Sequence, residues 1–418
     1  MNPFNPIESL ASMRHEFGEH GGVNMSIEAS TTFTVMDAET MPQLFHGQRG
    51  PEAGGCYLYG RHFNPTVYVL GRQLAALEGT ESGYCSASGM SAIAAVLLQL
   101  CDSGDHIVSS STIYGGTFAL LNDYLSRKAN LRTTFVDTHD HDAVDAAMAE
   151  HRPKILYVES LSNPTLRVAD IRALAGIAHR HGAALVVDNT FCPLMVSPAQ
   201  LGADVVIHSL TKFINGASDI VAGAVCGSTQ FISSMMDVHT GSLMLMGPTM
   251  DPKVAHELSL RLPHLGIRMT EHSRRALLFA SRLHELGHSV VYPGLPTHPD
   301  HELARRLFRP EFGFGGIFTI DMHSKARAFR FMEALQNRDR FGYMAVSLGY
   351  FDTLMSCSAS STASEMTDEA LQRAGISPGL VRVSIGYTGT VEQRWTQMED
   401  ALRQVGPAIE LPLAAACQ

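Results

Sequence analysis

Between residues 66 and 227 the sequence alternates short apolar, β-branched runs with helical periods, and no other feature limits the possible folds so strongly. The runs at 82–85, 106–110, 131–137, 155–159, 184–188, 205–208 and 221–226 are too short for helices and end at Gly, Asn, Asp or Ser, so they read as strands. Between them, 66–77, 88–100, 116–126, 143–151 and 171–181 carry apolar residues at helical spacing. Strands apolar on both faces and joined through helices build a mostly parallel sheet covered on each side, an α/β fold whose ligands sit at the carboxyl ends of the strands.

The flanks follow other rules. Residues 1–65 are rich in Gly, Pro, Thr and Phe and lack a sustained helical period apart from a short amphipathic piece near Pro6 to Phe17, as expected of an arm that packs on something else. After Gly247 a long helical pattern runs from Pro252 to about Leu286. Strands at 290–292, 314–321 and 381–385 and a helix at 326–335 then predict a smaller α+β domain. The resulting division is an arm at 1–65, a large domain at 66–262 and a C-terminal domain at 263–418, with a loose tail from Pro407. A formal charge of −10 argues against nucleic acid as a partner. Seven cysteines without a C-x-x-C pair, and an N-terminus without the basic-then-apolar order of a signal peptide, point to a reducing, cytoplasmic setting. The longest apolar run, 92–101, is about half of the ~20 residues that span a bilayer, so no membrane partner is expected.

The tips of the expected strands carry the chemistry. Lys212 follows the 205–208 run, flanked by Ser209 and Thr211, with Gly216, Ala217, Ser218 and Gly223 leaving room for a ligand to approach the backbone. Taken singly, a lysine after a strand is more often plain surface charge. A desolvated one can form a Schiff base with a carbonyl cofactor, for which pyridoxal 5'-phosphate (PLP) is the usual case. Only Lys128, Lys154, Lys212, Lys253 and Lys325 compete for that role. Asp188 ends the 184–188 run, where a carboxylate can pair with a protonated pyridine nitrogen or simply cap a turn. Ser88, Gly89 and Met90 open a helix directly after a strand, a place where free N–H groups and the helix dipole can hold a phosphate. Ser209 and Thr211 add hydroxyls, and Tyr59 and Arg61, from a loop dense in aromatic residues, can complete the cup. Tyr114 offers a ring face for stacking and a hydroxyl for proton transfer, while Glu159 and Asn163 suit a ring hydroxyl. The run His139-Asp140-His141-Asp142 reads as a polar turn before a helix rather than a metal cluster, and no metal site is expected. No G-x-G-x-x-G follows the first strand, which counts against a dehydrogenase.

The motifs YGRHFNPT (59–66), SASGMSAI (86–93), YGGT (114–117), ESLSNPT (159–165), VVDNTF (186–191), HSLTKFINGASDIVAGAVCG (208–227), AVSLG (345–349) and LVRVSIG (380–386) together resemble one family along nearly the whole chain. It is the PLP-dependent enzymes of cysteine and methionine metabolism, which include cystathionine synthases and lyases, homoserine-ester sulfhydrylases and methionine γ-lyases. The resemblance implies PLP fold type I, aspartate aminotransferase-like, and a homotetramer built from two active dimers with the first sixty residues as an intersubunit clamp. It implies Lys212 as cofactor anchor and mobile base, Asp188 on the ring nitrogen, and Tyr114 stacked on the ring as acid toward the leaving thiolate. Gly89, Met90, Ser209 and Thr211 would hold the phosphate, joined by Tyr59 and Arg61 of a neighbouring subunit. Arg382, with Ser347 and Asn163, would take the substrate carboxylate. Stretches 19–30, 241–250 and 347–357 look most like the plant-type γ-lyases of the group, which implies γ-elimination of L-methionine to methanethiol, 2-oxobutyrate and ammonia. A γ-replacement enzyme or a cystathionine γ-lyase is the alternative. Gly116 and Val346 are the positions expected to bear on substrate choice: many bacterial methionine γ-lyases carry cysteine at the first, and cystathionine enzymes tend to carry glutamate at the second.

Overall fold

The computed structural model describes residues 4–13, 20–361, 371 and 376–406, so the expected loose tail lies outside the described residues. Seven strands form the first sheet: β1 (Ser82–Ser86), β2 (His106–Ser110), β3 (Arg132–Val136), β4 (Ile155–Glu159), β5 (Ala184–Asp188), β6 (Val205–Ser209) and β7 (Gly223–Gly227). Their order is β1-β7-β6-β5-β4-β2-β3, parallel from β6 to β3, with β7 antiparallel to both neighbours. Every residue of β4 is buried, which is why its sequence shows no polar alternation. The fold is α/β, as the alternation of runs implies. The helix expected at 116–126 is present but switches to wider i→i+5 pairing over Leu120–Leu125.

The second sheet contains β8 (Val290–Val291), β9 (Ile317–Asp321), β10 (Gly342–Met344), β11 (Thr353–Cys357) and β12 (Leu380–Ser384), ordered β10-β11-β12-β9-β8. The long helical pattern after Pro252 is two helices, because Pro263 cannot donate to the helical ladder: Pro252–Arg261 ends in a 3-10 turn and Leu265–Glu285 begins after it. The second helix joins the two cores. Leu265 and Met269 pack under the first sheet, whereas Ala276, Phe279, Ala280 and Leu283 pack under the second. Cys85, Cys101, Cys192, Cys226 and Cys357 are buried free thiols; burial pushes those of Cys85, Cys192 and Cys226 far up and that of Cys101 to about 12. Among the described residues no helix is long and apolar enough to cross a membrane, and no group of three or more His, Cys, Asp or Glu is placed to hold a metal ion.

Asp300, between β8 and β9, ties its segment to those that follow β3 and β4. It accepts from Arg167 Nε at 2.6 Å and Nη2 at 3.0 Å and from the Val168 N–H at 3.0 Å, and lies 3.5 Å from His139 Nε2. Burial pushes its carboxyl up, but His139, Arg167 and the Val168 amide together hold it well below the carboxylate range. The same bond, working against burial, raises His139. The depressed carboxyl contributes stability above the unfolded carboxylate pKa of about 4 and loses it toward acid, while the raised imidazole contributes below an unfolded pKa of about 6.5 and loses it as pH rises. Asp300→Asn should therefore destabilise by about 2 kcal/mol near pH 6, with a smaller deficit above His139's folded pKa, as thermal melts across pH will read. An equal deficit throughout would remove His139 from the clasp.

Candidate active site

The carboxyl ends of β4, β5 and β6 open into a cavity of about 420 Å³. Ser88, Gly89, Met90, Tyr114, Gly116, Glu159, Asn163, Asp188, Ser209, Thr211, Lys212, Val346, Ser347 and Arg382 all line it. Tyr59 and Arg61 do not. They lie on the outer surface, with the Arg61 guanidinium 5.6 Å from the Tyr59 ring centre and donating to the Met244 carbonyl at 2.8 Å. Leu245 and Met246, beside that bond, are exposed.

Lys212 is held by a turn rather than a helix: its Nζ donates to Ser347 Oγ at 3.0 Å, and Arg268 from the Leu265–Glu285 helix donates to the carbonyls of Phe213 and Ile214 behind it. Burial, then the charge of Arg382, pulls Lys212 down to about 8, against an opposing pull from Asp188. Arg382 sits in β12, only 3 % exposed, and donates to Asn163 Oδ1 at 3.0 Å and to the Ser347 carbonyl at 2.9 Å. Burial brings it down to about 10, so it stays cationic at neutral pH. Ser347 thus touches both cations, one through its hydroxyl and one through its carbonyl, in a backbone conformation with φ +90° that strains any residue with a Cβ.

On the opposite wall, Asp188 Oδ1 accepts the Thr190 N–H at 2.9 Å, and Thr190 Oγ1 accepts the Ser209 N–H at 2.8 Å, which ties the ends of β5 and β6 together. Burial pushes the Asp188 carboxyl up, and Thr190, His208 and Tyr157 oppose that push. Glu159 is occupied differently from the sequence expectation. Its two oxygens accept the backbone amides of Tyr114, at 2.7 Å, and Asn163, at 3.2 Å, so it fixes two loops of the wall. Thr211 Oγ1 exchanges hydrogen bonds with the Ala222 backbone. Sequence reasoning missed Ile93, Leu161, Thr190, Phe191, Val221, Leu348 and Ser361, which also line the cavity. The apolar ones carry no signal that separates them from core residues.

The donor set fits pyridoxal phosphate. Ser88 caps the twelve-residue helix Gly89–Leu100 through a box with Ser91, and so leaves the first amides of that helix facing the cavity as an anion cradle. At Gly89 a Cβ would come within 2.7 Å of Ser209 Cβ, so only glycine permits the two segments to close around that cradle. Asp188, half-buried in the cavity wall, is a carboxylate that suits a pyridinium, and Lys212, with its lowered pKa, is an amine that suits a carbonyl. Capture of the cofactor by the cofactor-free protein uses the neutral amine. Its rate should therefore rise through pH about 8 and level off above it, as followed by absorbance after mixing. A rate already level below neutral pH would mean that Lys212 is not the titrating group.

Comparison with known proteins places these motifs. Residues 9–402 match the family described as Cys/Met metabolism PLP-dependent enzyme. The chain is 58% identical over 397 residues to a methionine gamma-lyase of Arabidopsis thaliana, covering 95% of this chain and 90% of that protein. Its fold is similar to the cystathionine gamma synthase of Xanthomonas oryzae pv. oryzae solved with aminoacrylate and cysteine, at TM-score 0.86 and 31% identity over 97% of this chain and 99% of that one. A Campylobacter jejuni structure containing N'-pyridoxyl-lysine-5'-monophosphate superposes with TM-score 0.87 at 26% identity, over 96% of this chain and 100% of that one.

Proposed function

The chain belongs to the Cys/Met metabolism PLP-dependent enzymes, and from that membership we propose that it converts L-methionine and water to methanethiol, 2-oxobutyrate and ammonia. It is a PLP-dependent carbon–sulfur lyase, similar over most of its length to a plant enzyme named for this reaction. The observation that carries the reading is a buried guanidinium, Arg382, whose hydrogen-bond partners among the described residues are neutral, joined through Ser347 to a half-buried amine, Lys212. That pair suits the carboxylate and the α-carbon of one amino acid.

In this reading the amides opening Gly89–Leu100, with Ser88, Gly89, Met90, Ser209 and Thr211, would hold the phosphate. Asp188 would pair with the ring nitrogen, Tyr114 would stack on the ring, and Lys212 would be the anchor. When bound, the cofactor supplies an electron sink conjugated to the substrate's α-carbon. Arg382 takes the carboxylate in a forked, charge-assisted bond, with Asn163 and Ser347 fixing the guanidinium plane. Lys212 Nζ removes the Cα proton and then moves the protons of the neighbouring carbons. The Tyr114 hydroxyl gives its proton to the sulfur as the Cγ–S bond breaks. Val346, Leu161 and Phe191 supply an apolar wall for the S-methyl group, where a second charged amino acid would find no partner. Tyr59 and Arg61 act on the phosphate of a second copy, within a homotetramer of two active dimers, and we place the enzyme in the cytoplasm. The free thiols and the exposed Tyr59–Met246 surface support this part of the reading.

Incubation with methionine alone tests the assignment. Equal amounts of methanethiol and 2-oxobutyrate are expected, whereas a γ-replacement enzyme would release little keto acid without an activated homoserine and a thiol. Gly116 bears on the same step. A Cβ there would come within 2.6 Å of the Tyr114 ring, so Gly116→Ala must displace the ring. We expect kcat for methionine to fall about ten-fold with cofactor binding retained. An unchanged kcat would show that the ring position is not critical.

A further inference from the structure

The face of the first sheet opposite the cavity holds a polar knot that the proposed reaction does not use. Glu78 ends the Pro65–Glu78 helix and is 1 % exposed. Its Oε1 accepts from His208 Nε2 at 2.6 Å and from Asn189 Nδ2 at 2.9 Å. Asn189 extends the knot, accepting from Ser160 Oγ at 2.8 Å and donating to the Val196 carbonyl at 3.1 Å. Glu78 Oε2 and His208 Nδ1 are buried without hydrogen-bond partners.

As a stabilising device this is a poor design. Withdrawing a carboxylate from water costs several kcal/mol, and leaving one oxygen unmatched adds to that cost, so an apolar set of similar volume would serve the core as well or better. What the knot does supply is placement. Each side chain that joins Glu78 in the knot is the chain neighbour of a cavity residue: Ser160 follows Glu159, Asn189 follows Asp188, and His208 precedes Ser209. Successive side chains at a strand end point to opposite faces, so bonds that fix Ser160, Asn189 and His208 on one face fix Glu159, Asp188 and Ser209 on the other. Glu78, reaching in from a helix, is the point on which the bonds from β5 and β6 converge. His208 is also among the groups that oppose the effect of burial on Asp188.

We infer that Glu78, acting through His208 and Asn189, is a positioning residue for Asp188 and keeps that carboxylate in line with the cofactor's ring nitrogen. The inference rests on the reading of Asp188 given above. Its role is comparable to the outer partners that orient a ligating side chain, whose loss typically costs about 10–100-fold in binding or activity.

Glu78→Gln keeps the volume and one acceptor oxygen, and it is best examined in a double-mutant cycle with Asp188→Asn. Affinity of the cofactor-free protein for pyridoxal phosphate is read by fluorescence titration, and kcat and KM for methionine are read separately. Glu78→Gln should weaken cofactor affinity and lower kcat by about ten-fold each while KM changes by less than about two-fold. In the Asp188→Asn background the same substitution should add less than about two-fold to the loss of affinity. His208→Gln provides a second entry into the cycle should Glu78→Gln fold poorly. Wild-type affinity and kcat in Glu78→Gln, beside a deficient Asp188→Asn, would overturn the inference. So would an equal loss of affinity in both backgrounds, the mark of general packing. An Asp188→Asn protein with undiminished affinity and kcat would instead remove the reading of Asp188 itself.

Discussion

Alanine at position 212 is expected to lower methionine turnover by at least about 10⁴-fold, because it removes both the amine that anchors the cofactor and the base that moves the α-proton. The fold should survive. The hydrogen bond of Lys212 Nζ is to Ser347 Oγ, and burial already disfavours its charge, so removing it takes a poorly solvated cation out of the cavity. The Lys212→Ala protein should melt no lower than the wild type in the absence of cofactor, yet lack the visible absorption of the lysine-bound cofactor. Keto-acid release, absorbance and a melting curve decide this together. Turnover within about ten-fold of wild type would place the base on another residue. Lys128, Lys154, Lys253 and Lys325, the other lysines, are not among the cavity-lining residues.

Arg382→Ala is expected to raise KM for methionine by about 10- to 100-fold, the worth of a charge-assisted bond, with a smaller fall in kcat. The size of the effect follows from burial. The guanidinium is withdrawn from water, and among the described residues its hydrogen bonds go to an amide oxygen and a carbonyl, with no carboxylate within ion-pair distance. A cation in that condition gains strongly from an incoming carboxylate. Arg382→Lys should recover little, since one ammonium cannot hold Asn163, the Ser347 carbonyl and a carboxylate in a single plane. Steady-state kinetics with methionine, and with an analogue lacking the carboxylate, will test it. If KM is unchanged, the carboxylate binds elsewhere.

What the sequence disclosed and what it concealed have physical reasons. The strands β2 to β6 were legible because five-residue runs with β-branched residues, bounded by turn residues, leave few alternatives. Lys212, Asp188 and Tyr114 were legible because strand ends are where such sheets place ligands. β10 and β11 were not: the first has three residues, two of them exposed, and the second is buried throughout, so neither shows alternation. The break at Pro263 was open to prediction but was hidden by strong helical periods on either side. At the site, the bonds from Glu159 to two amides depend on loop geometry that composition does not encode. The Glu78–His208 contact joins residues 130 positions apart, and an isolated glutamate at a helix end reads as surface. Spacing put Tyr59 and Arg61 in the same cup as Lys212, whereas they lie outside this chain's cavity; the proposal that they serve a second copy comes from motif resemblance.

The buried cysteines have a consequence for the enzyme's own durability. A lyase that releases methanethiol works amid a small nucleophilic thiol and the dialkyl disulfide into which it oxidises. Exchange between a protein thiol and such a disulfide requires thiolate and access. The residues that line the cavity include no cysteine, and burial keeps Cys85, Cys101, Cys192 and Cys226 protonated. Of the described cysteines only Cys56, in the arm, is partly exposed. Among the described cysteines, mixed-disulfide formation imposed with excess dimethyl disulfide should therefore fall on Cys56 and leave turnover in the cavity running.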